Sequence, residues 1–167
     1  TGASLHTWNG WVDVFKSSRK ILRLDLPAFG LTGPTTDGIY SADMYQRVII
    51  ALLDSLGISK ADVAGNSLGG YIAWYTALHH PDRVRNLLLI DAAGYPLEQS
   101  EKPLAFRLAA IPGINSIFKF ITPRSVVERS LTNLYVDDTK VTPALIDRYF
   151  ELALRPGNRQ GFLDRAK

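Results

Sequence analysis

The stretch Lys60–His80, KADVAGNSLGGYIAWYTALHH, constrains this chain more than any other. It opens as a short apolar run at Ala61, Val63 and Ala64, turns at Gly65-Asn66-Ser67-Leu68-Gly69, and leaves as a helix running to Pro81. Gly-x-Ser-x-Gly between a strand and a helix reads as a nucleophile elbow. The turn strains the serine and lifts its hydroxyl clear of the sheet, and the flanking glycines leave room for crowded backbone. The five-residue pattern alone is weak, because Gly and Ser are common; its flanks sharpen it. Gly69, Ala73 and Ala77 recur every fourth position, giving one helical face small enough to lie close against a sheet. A phosphate-cradling loop would need G-x-G-x-x-G or G-K-[ST], and neither occurs here.

The elements around the elbow set the class. Trp8, Trp11, Val12 and Phe15 fall at i, i+3, i+4 and i+7 and predict a short helix ending near Ser17-Ser18. Lys20–Asp25 (KILRLD) reads as a strand, followed by a turn-rich loop through Pro27, Gly30, Gly33 and Pro34. Ser41 is the expected N-cap of a helix carrying Tyr45, Val48, Ile49, Leu52, Leu53 and Leu56, with Gly57 as its stop and an Asp43–Arg47 pair outside. Asn86–Ile90 (NLLLI) has no polar alternation and is expected to be a strand covered on both faces. Strand alternating with helix means parallel crossovers. The fold class is therefore α/β, a mostly parallel sheet with flanking helices and functional residues at the carboxyl ends of its strands.

After Gly94 the pattern changes, so residues 1–94 are assigned to the α/β core and 95–167 to a helical region. Helices are expected at Pro103–Ile111, Asn115–Phe120, Pro123–Leu134 and Pro143–Arg155. Thr122-Pro123 and Thr142-Pro143 each read as an N-cap followed by proline at the first helical position. Asn158 is expected to cap a last helix. The excess positive charge sits late: residues 1–94 carry 8 basic and 8 acidic side chains, residues 95–167 carry 11 and 8. These late charges are dispersed, so nucleic-acid binding has little support. The chain has no cysteine, which excludes disulfides and thiolate metal sites without naming a compartment. No apolar run reaches membrane-spanning length, and nothing in the pattern asks for a metal or cofactor.

Taken together, these residues resemble the α/β-hydrolase fold family over nearly the whole chain. Gly65-Asn66-Ser67-Leu68-Gly69-Gly70 is the strongest match. Asp25-Leu26-Pro27-Ala28-Phe29-Gly30 is similar to the family's D-x-P-G-F-G loop, with Ala28 in place of glycine. His80-Pro81-Asp82-Arg83-Val84 and Leu88-Leu89-Ile90-Asp91 are similar to its helix exit and next strand. The helical stretch after Gly94 resembles the cap inserted over the active site. Thr1-Gly2-Ala3-Ser4 resembles the end of the H-G-x-G-x-S oxyanion loop, so the chain reads as cut at both ends.

The resemblance implies roles residue by residue. Ser67 would be the nucleophile, and the backbone N–H groups of Leu68 and Thr1 would form the oxyanion hole. The family order places the acid and histidine after the serine, so both are expected beyond Lys167; Asp91 is a minority candidate for the acid and Asp25 reads as structural. His79 and His80 sit at the far end of the elbow helix, and His6 precedes the serine, so packing or cap contact is its expected role. The implied activity is hydrolysis of a small apolar ester or related acyl compound. The alternatives are hydrolysis of a carbon–carbon bond in a dienoate ring-cleavage product, or a non-catalytic ligand-binding homologue. Serine rather than aspartate at position 67 counts against dehalogenase and epoxide hydrolase chemistry.

Overall fold

A computed structural model describes residues 2–96 and 120–165. The expected helix Pro103–Ile111, most of Asn115–Phe120, and Thr1 lie outside the described residues. The chain forms two compact units, Thr1–Gly38 with Pro103–Lys167, and Ile39–Lys102. The boundary expected at 94/95 falls inside the second of these.

The Ile39–Lys102 unit holds the elbow. Helix α2 (Ala42–Ser55) begins as the sequence dictates: Ser41 is extended and its hydroxyl accepts from Met44 N–H, which satisfies one of the free amides of the first turn. Asp43 pairs with Arg47 at 3.0 Å on the outer face, and Gly57 takes φ 65° just past the helix. Strand β1 (Ala61–Asn66) leads into helix α3 (Leu68–His79), which returns to strand β2 (Val84–Ile90). The two strands pair in parallel, as a strand–helix–strand crossover requires. Their register slips between Ala61 and Val63, so β2 carries an extra residue there. Asp62 gathers the irregularity, accepting from Arg85 Nε at 2.9 Å and Asn86 Nδ2 at 2.8 Å.

The core of this unit is Tyr45 and Leu53 from α2, Ile72, Ala73 and Thr76 from α3, and Val84. Leu87, Leu88 and Leu89 depart from expectation, each being 36–43 % exposed. Burial on both faces needs a layer on each side and flanking strands, and the described residues of this unit supply only two strands.

In the other unit, the turn Leu5–Trp8 runs into helix α1 (Asn9–Phe15), where Trp8 meets Trp11 edge to face and Trp11 meets Phe15 at a tilt. Lys20–Asp25 is not a strand. It has no ladder partner among the described residues, and a segment becomes a strand only by pairing. Helix α4 (Arg124–Thr132) starts one residue later than expected: Pro123 is itself the extended cap residue, and Thr122 makes no cap. Helix α5 (Pro143–Leu154) follows the expected pattern, with Thr142 Oγ1 accepting from Leu145 N–H and Pro143 at the first position. Arg124 of α4 meets Asp147 of α5 at 2.6 Å. Asn158 opens helix α6 (Asn158–Arg165) from inside rather than capping it. Its side chain turns back, donating to the carbonyls of Gly30 and Leu152.

Candidate active site

The elbow is built from backbone. Gly65 closes β1 where a Cβ would run into the Gly69 carbonyl, so only glycine fits. Ser67 then takes φ 52°, ψ −118°, a conformation that costs a non-glycine residue about 1–3 kcal/mol unless its surroundings enforce it. Here they do. Ser67 N–H donates to the Ile90 carbonyl at 3.0 Å, and its own carbonyl accepts from Tyr71 N–H and Ala93 N–H, both at 3.0 Å. The strained residue is therefore held from the end of β2, from the first turn of α3 and from the loop after β2, while its side chain is exposed.

Two residues that belong to the matched stretch Gly65–Gly70 but were given no role of their own complete this geometry. Asn66 Nδ2 donates to the same Ile90 carbonyl at 3.1 Å, so two adjacent elbow residues converge on one oxygen. Gly70, outside the five-residue motif, sits against Ala92: a Cβ there would lie 2.7 Å from the Ala92 Cβ and 2.9 Å from its Cα. Gly69, inside the motif, has no described atom within 4 Å of the corresponding position. The buried face of α3 thus overlaps the Gly69-Ala73-Ala77 stripe only at Ala73, and is made by Gly70, Ile72, Ala73 and Thr76. Trp74 Nε1 donates to the Ala93 carbonyl at 3.0 Å and fixes the same loop from the helix side.

The other candidates take the following places. Leu68 is the first residue of α3, so its N–H has no acceptor inside the helix and stands directly after the serine. Thr1 lies outside the described residues. Asp91 is one residue past Ile90, exposed, with φ 42°. His79 is twelve residues along the helix from Ser67, about 18 Å at 1.5 Å per residue, stacked on Tyr75 and bonded through Nδ1 to the Tyr75 carbonyl at 2.9 Å. His80 ends that helix.

Asp25, in the other unit, is buried, and its carboxylate accepts from Leu5 N–H at 2.6 Å and Leu31 N–H at 3.0 Å. These are the loop-closing bonds expected of a structural aspartate. His6 Nδ1 lies 3.1 Å from Ser4 Oγ. Both residues line a cavity of about 300 Å³ with Thr7, and α5 supplies Leu145, Arg148 and Tyr149 to the same cavity. Burial pushes the Tyr149 phenol above the usual tyrosine range, while its hydrogen bond with Thr7 pulls the other way. Among the described residues no cluster of His, Asp and Glu could hold a metal ion, and no helix is long and apolar enough to cross a membrane.

Residues 1–122 match the model of the alpha/beta hydrolase fold. The chain belongs to this family. It is 30% identical over 165 residues to a 2-hydroxymuconate semialdehyde hydrolase of Pseudomonas sp. (strain CF600), covering 97% of this chain and 54% of that protein. A protein of the same name from Pseudomonas putida is 32% identical over 151 residues, 89% of this chain and 50% of the relative. The meta-cleavage product hydrolase of Pseudomonas fluorescens IP01 superposes with a TM-score of 0.78 at 26% identity, over 97% of this chain and 56% of that one. This alpha/beta hydrolase chain thus spans about half the length of the curated relatives it matches.

Proposed function

We propose that the chain carries the nucleophile of a serine hydrolase, with Ser67 attacking a substrate carbonyl and Leu68 N–H stabilising the oxyanion that forms. One observation carries the reading. Ser67 is held in a strained backbone conformation by bonds to Ile90, Tyr71 and Ala93, with its side chain left exposed. A serine whose only task was to turn the chain would not need φ 52° when glycine could stand there without strain.

A serine hydroxyl is a weak nucleophile while it keeps its proton, so the reaction needs a base. His79 is too distant and already bonded, and in this fold the base follows the serine and the acid in chain order. The proposed base is therefore a histidine later in that order, with Thr1 N–H as second oxyanion donor and Asp91 as a secondary candidate for the acid. The hydroxyl proton passes to the base as the Ser67 Oγ–carbon bond forms. The tetrahedral oxyanion collapses by expelling the leaving group, which takes up the proton, and water then releases the acyl group from Ser67.

Two substrate classes suit this chemistry: a small, largely apolar ester, and the carbon–carbon bond next to a carbonyl in a dienoate ring-cleavage product. Similarity to the hydroxymuconate semialdehyde and meta-cleavage product hydrolases favours the second. The full-length enzyme should lose roughly 10⁴-fold or more in kcat on Ser67→Ala with its fold intact, and a phosphonate probe should label the wild type at Ser67. Turnover of both substrate classes at near wild-type rate by the variant would refute the reading. Tight binding of a dienoate without turnover by the wild type would point to the non-catalytic alternative. The ratio of kcat/KM for a dienoate and a matched aryl ester decides between the two substrates.

A further inference from the structure

We propose that Asp25 and Asn158 are positioning residues that couple the last turn of α5 to Leu5 through a single shared peptide group. The peptide joining Gly30 to Leu31 is gripped at both ends. Its carbonyl accepts from Asn158 Nδ2 at 2.9 Å, and its N–H donates to Asp25 Oδ2 at 3.0 Å. Each gripping side chain has a second bond: Asp25 Oδ1 accepts from Leu5 N–H at 2.6 Å, and Asn158 Nδ2 also donates to the Leu152 carbonyl at 2.8 Å. The result is one unbroken run of hydrogen bonds from Leu5 through Asp25, the Gly30–Leu31 peptide and Asn158 to Leu152. Asp25 and Asn158 are both only 7 % exposed, so water does not compete freely along it.

The run passes through a loop that has little freedom to absorb a displacement. Gly30 has φ 47°, and the Asp25 carboxylate fills the space a Cβ would need. The Arg155 guanidinium lies over Gly33, Gly157 packs on Pro34, and the Arg165 guanidinium stands 3.9 Å from the centre of the Phe29 ring. A peptide group polarised at its carbonyl donates more strongly from its N–H, so the bonds at its two ends reinforce one another. Coupling of this kind is reciprocal.

The two ends of the run lie on the two segments that line one cavity, each beside residues of the lining. Leu5 is flanked by Ser4, His6 and Thr7, and α5 supplies Leu145, Arg148 and Tyr149. The run therefore ties the two lining segments together: a shift at the end of α5 is passed to the turn at Leu5 rather than lost in the intervening loop.

Hydrogen exchange followed by NMR tests this in Asn158→Ala. The amides of Leu5 and Leu31, neither bonded to Asn158, should exchange at least tenfold faster, while those of β1 and β2 keep their wild-type rates. Faster exchange confined to residues 152–161 would overturn the proposal, because Asn158 would then be a local brace. A uniform rise through both units would overturn it as well, since that is global destabilisation. Should Asn158→Ala fail to fold, Asp25→Asn reads the coupling in reverse. The side-chain amide protons of Asn158 should then exchange at least tenfold faster, and unchanged protons would refute the coupling.

Discussion

Gly70→Ala should damage the elbow more than its position outside the motif suggests. The new Cβ would stand 2.7 Å from Ala92 Cβ and 2.9 Å from Ala92 Cα. Carbon pairs prefer about 3.5–4.0 Å, so residues 91–93 or the start of α3 must retreat by about 1 Å. Forced repacking of this kind costs about 1–3 kcal/mol. The same retreat stretches the 3.0 Å bond from Ala93 N–H to the Ser67 carbonyl, worth about 0.5–1.5 kcal/mol net. Against these stands the better helix propensity of alanine, up to about 1 kcal/mol. The expected net loss is about 1–3 kcal/mol, read as a lower urea midpoint at unchanged m-value. Gly69→Ala is the internal control. With no described neighbour within 4 Å it should be neutral or slightly stabilising. Adding Ala92→Gly to Gly70→Ala removes the nearer of the two contacts and should restore part of the loss, a coupling visible in a double-mutant cycle. If Gly70→Ala matches Gly69→Ala, or if Ala92→Gly brings no recovery, the packing account of the elbow is wrong.

Other perturbations follow from the same coordinates. Arg83 Nε donates to the Ser59 carbonyl at 2.8 Å and Nη2 to the Ile58 carbonyl at 3.1 Å, beside a 2.6 Å pair with the exposed Asp54. Arg83→Lys cannot reproduce that fork and should cost about 1–3 kcal/mol, mostly from the stranded carbonyls; chemical denaturation measures it, and a change below about 0.5 kcal/mol contradicts it. The folded chain holds the Tyr149 proton more tightly than the unfolded chain does. This contribution is complete below about pH 10 and declines as pH rises through the folded value. Tyr149→Phe should therefore flatten the alkaline loss of stability, and unchanged alkaline melts would refute this. The 167-residue chain expressed alone should lack esterase activity, because the described part of the elbow unit places no histidine within reach of Ser67; an active monomer silenced by His6→Ala would reverse that conclusion.

The sequence was most legible where local chemistry dictates local form. Ser41, Gly57 and the Thr142-Pro143 pair mark helix ends through bonds reaching only three or four residues, and the structure follows them. The elbow was legible because glycine spacing and a strand–helix change coincide at Ser67. Long-range partners were not. Lys20–Asp25 has the composition of a strand, but a strand also needs a neighbour, which composition does not reveal. Asn158 looked like a cap because asparagine favours caps, yet its amide is used 128 residues away, on Gly30. Gly70 was visible only as a member of the matched stretch, and its packing reason was not, since that is Ala92, a residue distant in sequence. Thr122-Pro123 misled by one position because proline also accepts the extended conformation of a cap residue.

The dependence of Ser67 on Ile90 has a consequence for how the protein is made. Asn66 and Ile90 are 24 residues apart, so during synthesis the motif emerges before the strand that holds it. At about 5–20 residues per second that gap lasts about 1–5 s. In that interval the bonds to Ile90 and Ala93 are missing, and of the three that hold Ser67 only the one from Tyr71 N–H can form. The full set of bonds that holds Ser67 at φ 52° is therefore complete only when residues 84–93 arrive. A polypeptide interrupted at Pro81 would keep every letter of GNSLGG and lose the Ile90 and Ala93 bonds that hold its backbone.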